Sequence, residues 1–180
     1  RELPGETLTF EAKKNHIALV ECGSSSFRIP GLPPEDFPIL PPPQETEAIR
    51  ISQMGLKTLI ALTAHAMSME ETRFILNGAL LTSHKDTLAM VATDGRRLAV
   101  ARTPAGGGAA LSMVVPAKAI RELGRLLEDE EDEISIAPLK DNQLTLRYGS
   151  VTMITRLIEG QFPQYDKVIP PPSKQTLTCN

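Results

Sequence analysis

The chain has no tryptophan, and only 4% of its 180 residues are aromatic. Its core must be built from Leu, Ile, Val, Met and Ala. Few rings also argue against single-stranded nucleic acid as the main ligand, because such sites rely on aromatic stacking platforms. Two cysteines, Cys22 and Cys179, stand far apart and form no CxxC pair. That excludes a disulfide framework and suggests two small apolar side chains in a reducing cytosol. No apolar run approaches the roughly 20 residues that span a bilayer, so no membrane partner is expected. Arg1-Glu2-Leu3-Pro4-Gly5 lacks a signal-peptide layout and an initiator Met, as expected of a chain that begins inside a longer protein.

Signatures of catalysis are missing too. There is no GxxxxGK[ST] phosphate loop, and Gly106-Gly107-Gly108 reads as a linker. No serine sits in GxSxG. His16, His65 and His84 are scattered without metal-ligand spacing. No cofactor is therefore expected. The carboxylates at 128–133, with Asp129 and Asp132 among them, would suit a metal-dependent nuclease. A contiguous acidic run reads more simply as a solvated, self-repelling surface. The net charge of −3 excludes a uniformly basic coat but allows a local basic face.

What is present begins with a long repeat. Ile39-Leu40-Pro41-Pro42-Pro43 returns as Val168-Ile169-Pro170-Pro171-Pro172, and Asn15-His16-Ile17-Ala18-Leu19 parallels Asn142-Gln143-Leu144-Thr145-Leu146. The offsets are 129 residues at the prolines and 127 at the asparagines. A period of that size is a whole domain rather than a solenoid unit. The expected organisation is the tail of one unit in residues 1–43, a complete unit in 44–172, and the first strand of a third in 173–180.

Alternation predicts strands at 7–13, 16–21 and 26–29. Residues 31–43 are too rich in proline for a ladder and read as a stiff linker. A strand at 46–52 leads to Ser52, an N-cap for a helix running to about residue 67, with Leu56, Leu59, Ile60 and Thr63 on one face. Strands follow at 78–83, 88–93, 98–103 and 113–115, with a loop at 105–110. Pro116 is expected at the first position of a second helix, whose apolar stripe is Ile120, Leu123, Leu126 and Leu127. Strands at 133–137, 143–148 and 151–157 complete the unit. Two helices over antiparallel sheet make an α+β fold.

On the second helix Lys118, Arg121 and Arg125 recur at i, i+3 and i+7, a row along one face. Such a row can track DNA phosphates without reading bases, and it also suits a solvated helix face. Lys57 and Arg73 are similar candidates. Asp94-Gly95 between two strands reads as a hairpin turn.

At this point four segments carry a resemblance: FRIPGLPPEDFPILP (27–41), ATDGRRLAV (92–100), VVPAKAIRELGRLL (114–127) and LIEGQFPQYDKVIP (157–170). Together they resemble the bacterial DNA polymerase III beta subunit, the replicative sliding clamp. The resemblance implies a cytoplasmic, non-catalytic protein, two copies of which close a ring around duplex DNA and tether the polymerase. It makes Lys118, Arg121, Arg125, Arg73 and Lys57 expected DNA-facing residues. It also implies a pocket for a short apolar peptide from polymerases and the clamp loader, at Leu76, Thr93, Gly95, Arg96, Arg97, Leu98, Pro163 and Val168. Two departures stand out. Phe74-Ile75 replace a pair of aromatics, and Asp166-Lys167 replace a basic pair. The resemblance places the peptide pocket between the second and third domains, so a span of this length is expected neither to close a ring alone nor to carry more than half of the pocket. The alternatives are a protein-interaction module that never meets DNA and, on the acidic run, the nuclease.

Overall fold

The computed structural model describes residues 4–38, 48–108, 110–128 and 130–171. They fall into two units, Arg1–Pro42 and Pro43–Asn180.

In the first unit, strands β1 (Thr9–Ala12), β2 (Ile17–Cys22) and β3 (Ser25–Pro30) form an antiparallel meander. Val20 is in register with both Phe10 and Phe27. Cys22 is buried, and its thiol donates to the Gly5 carbonyl at 3.3 Å. Cys179 lies outside the described residues. The described part of the expected linker has a 3-10 turn at Pro34–Asp36, and its 39–43 portion is also outside the described residues.

The second unit is a pair of four-stranded antiparallel sheets with two helices. One sheet runs in the order β11 (Val151–Arg156), β10 (Gln143–Tyr148), β9 (Glu133–Leu139) and β4 (Ile49–Ser52). The other runs β7 (Leu98–Pro104), β6 (Thr87–Thr93), β5 (Gly78–His84) and β8 (Ser112–Pro116). Bridges Arg50↔Gly106 and Val114↔Ile158 join the two sheets at both margins. The α+β class read from the sequence is the observed one.

Helix α1 (Gln53–Thr63) starts where Ser52 Oγ accepts the Gly55 N–H at 3.1 Å. Its next free donors are met from the acidic run, whose Asp132 and Glu130 carbonyls accept from Gln53 and Met54 at 2.9 and 3.0 Å. A helix N-terminus favours negative charge nearby, so the acidic run has a structural role there. Helix α1 ends at Thr63, four residues short of the expected end. Ala64–Ala66 tighten into a 3-10 turn, and the Thr63 hydroxyl donates back to the Leu59 carbonyl at 2.7 Å, a bond that competes with helix continuation.

Helix α2 (Ala117–Leu126) differs from expectation at both ends. Pro116 is its N-cap, with extended φ/ψ of −60° and 144°, not its first helical residue. Leu126 is 40% exposed and leaves the apolar stripe, whereas Ile120, Leu123 and Leu127 stay buried. Leu127 is past the last turn, and its extended backbone swings its side chain back into the core. Gly124 permits the close helix–helix approach: a Cβ there would meet Ile60 Cγ2 at 3.2 Å.

Leu56, Leu59, Ile120, Leu123, Leu88, Met90, Ile134, Ile136, Leu144 and Leu146 share the main core. A second cluster of Leu76, Leu80, Val91, Val114 and Phe162 lies against the other face of the β5–β6 region. Strand β6 is therefore buried on both faces, Leu88 and Met90 pointing to one cluster and Val91 to the other.

Candidate functional site

The turn from β6 to β7 is organised by one carboxylate. Asp94 Oδ1 accepts the backbone N–H of Arg96 at 2.9 Å and of Arg97 at 3.0 Å, and Asp94 Oδ2 accepts from Arg97 Nε at 3.0 Å. Thr93 Oγ1 accepts from the Gly95 N–H at 3.1 Å and donates to the Arg97 carbonyl at 2.7 Å. Arg73 reaches over the turn and donates to the Asp94 carbonyl at 3.1 Å, while its Nε lies 3.5 Å from Glu70. Gly95 has φ +86°, a backbone conformation that favours glycine, and a Cβ there would displace only the movable Arg73 guanidinium, 2.7 Å away.

The two backbone donors, and then the Arg97 guanidinium, hold the Asp94 carboxyl below the ordinary aspartate range. Its pKa is lower in the folded turn than in the open chain. The ordering it provides is therefore complete above the ordinary aspartate range and fades as pH falls through the lowered value. Acidification should leave the Arg96 and Arg97 amide resonances in place through the usual aspartate midpoint and move them only below it. Movement at the usual midpoint would mean that Asp94 does not hold these amides.

Opposite the turn, the segment after β11 is tied down by Leu157 N–H to the Asn142 carbonyl at 2.8 Å and Ile158 N–H to the Val114 carbonyl at 2.9 Å. Phe162 plugs into the second cluster, which leaves Pro163 exposed beside it, and a 3-10 turn at Tyr165–Val168 follows. Between turn and segment lies a cavity of about 730 Å³. All eight residues proposed from the sequence as pocket positions line it: Leu76, Thr93, Gly95, Arg96, Arg97, Leu98, Pro163 and Val168. Six others were not anticipated: Val100, Arg102, Gln164, Tyr165, Ile169 and Pro170. Two-residue alternation along β7 from Leu98 would have found Val100 and Arg102. A second hollow, of about 860 Å³, lies on the other side of the same segment and shares Pro163, Gln164 and Tyr165 with the first.

The candidate cations are distributed unevenly. Lys118, Arg121 and Arg125 are exposed on α2. Arg121 contacts Met69 Sδ at 2.7 Å, and Arg125 lies 3.5 Å from Glu122. Arg73 joins the groove turn rather than the α2 row. Lys57 is half-buried on α1. Glu128 and Asp132 raise the pKa of the Glu130 carboxyl by charge repulsion. Among the described residues no group of three or more His, Cys, Asp or Glu is placed to hold a metal ion, and no helix is long and apolar enough to cross a membrane.

Two helices packed on two antiparallel sheets match one sliding-clamp domain. The family described as DNA polymerase III beta subunit, central domain, matches residues 50–164, and the chain belongs to that family. The beta sliding clamp of Staphylococcus aureus is 33% identical over 171 residues, which is 94% of this chain and 45% of that protein. The sliding clamp structure from Bacillus subtilis has a TM-score of 0.83 at 30% identity, covering 96% of this chain and 46% of that one. The Pseudomonas aeruginosa beta subunit has a TM-score of 0.79 at 33% identity, covering 93% and 46%. The chain thus spans about half the length of the relatives it matches. The family is non-catalytic, so the nuclease reading of the acidic run, of which Asp129 lies outside the described residues, does not fit it.

Proposed function

We propose that this chain is the central part of a DNA sliding clamp, a processivity factor that encircles duplex DNA and tethers a replicative polymerase. In this reading residues 1–43 close a first domain, 44–172 are the complete middle domain, and 173–180 open a third. The cation row of α2, with Arg73 and Lys57, attracts phosphates without reading sequence. Few base contacts suit a sliding ring, because a strong one would trap it. The groove takes a short apolar peptide from polymerase or clamp-loader subunits. The observation that carries the reading is the convergence of Leu76, the 93–98 turn, Pro163 and Val168 on one cavity, within a chain of this family.

The alternative of a protein-interaction module without DNA draws on Arg73 and Arg125, whose guanidinium groups already lie near Glu70 and Glu122. One experiment separates the two. The full-length protein containing this chain is expected to stay on closed circular duplex and to be lost when the circle is cut. Equal retention on both forms would reject tethering by encirclement.

A further inference from the structure

Among the described residues the groove is lined by three arginines and no carboxylate. The three are not equivalent. Arg97 gives its Nε to Asp94 at 3.0 Å. Arg96 and Arg97 also border a smaller hollow of about 200 Å³ beyond the turn, where Glu70 and Asp94 offset their charge. Arg102 lines the groove but not that hollow, and among the described residues it has no ion-pair partner. Its register neighbour on β6 is Ala89, which offers no polar side chain.

The pleat of β7 explains its placement. Ala99 and Ala101 pack on the main core, and Thr103 faces α1 at Gly55. Leu98, Val100 and Arg102 take the opposite face and form one wall of the groove. The wall therefore grades from apolar to cationic along a single strand. Leu98 to Arg102 spans about 13 Å, the length of four extended residues. A peptide lying along this wall would cover the Arg102 guanidinium. Covering it without a partner costs desolvation, whereas a carboxylate matches its planar fork with two hydrogen bonds. Single-stranded nucleic acid suits the groove less well, since among the described residues Tyr165 is its one aromatic lining residue and offers no run of stacking platforms.

We propose that the groove selects an extended apolar peptide bearing a carboxylate within about four residues of its apolar anchor, and that Arg102 is the specificity-determining residue that reads this carboxylate. The proposal rests on the peptide-groove reading given above.

Two fluorescent peptides carrying an adjacent leucine pair, identical except for Asp or Asn at the fourth residue from that pair, would be titrated with the full-length protein containing this chain and followed by anisotropy. The Asp peptide is expected to bind about threefold to fivefold more tightly, the scale of an exposed ion pair, with the advantage shrinking as salt rises. Arg102→Gln is expected to bring the Asp-to-Asn ratio close to one, and Arg102→Lys to retain part of it. Equal affinities in the parent chain, or a ratio unchanged in R102Q, would overturn the role of Arg102 while leaving the groove reading intact. Failure of the folded full-length protein to bind either peptide would overturn the groove reading, and this proposal with it.

Discussion

Replacing Lys118, Arg121 and Arg125 together with Ala is expected to flatten the salt dependence of duplex binding. Each phosphate contact adds about 0.9 to the slope of log affinity against log salt, so the slope should fall by about 2 to 3. All three side chains are exposed on α2, and removing them costs little burial. The contribution of Arg125 is tempered by Glu122 at 3.5 Å, since phosphate must compete with that carboxylate. A duplex titrated by anisotropy at several salt concentrations gives the slope directly, and duplexes of unrelated sequence should lose affinity equally. An unchanged slope would make the row an ordinary solvated helix face.

Leu123→Ala should be a severely damaging single change in the same helix. Leu123 is 3% exposed and packs in the main core on the buried side of α2. Truncation there costs about 2 to 5 kcal/mol, a large share of the roughly 5 to 15 kcal/mol that holds a domain together. Urea unfolding should show a lower midpoint at an unchanged slope. The adjacent Leu126→Ala makes the control, because Leu126 is 40% exposed and surface changes stay within about 0.5 kcal/mol. Equal losses for the two would contradict the observed end of the helix.

That pair also shows how far the sequence could be read. The stripe on α2 was legible because Ile120 and Leu123 follow the helical period. The stripe alone could not show that the helix stops at Leu126, and there the expected pattern failed. Helix α1 was overextended for a similar reason. Ala64, Ala66 and Met67 are good helix formers, and the bond from Thr63 to the Leu59 carbonyl leaves no trace in local composition. The cap at Ser52 was readable because an N-cap is a local signal.

The groove was legible only in part. No spacing rule brings Leu76, the 93–98 turn and Pro163 together, and their association came from the family resemblance. The alternation that places Val100 and Arg102 beside Leu98 was available locally and needed only the strand to be followed outward. The bond from Arg73 to the Asp94 carbonyl depends on two distant segments meeting, so nothing near either residue announces it.

Strand β6, enclosed between two apolar clusters, has a consequence for any visitor to the groove. The strand under the wall is anchored as deeply as anything in the domain, so local unfolding should reach it last. Guests would come and go by rearranging the arginine-bearing turn and the Pro163 segment at the mouth, while the floor beneath keeps its shape. Exchange of one partner for another would then demand little reorganisation of the scaffold.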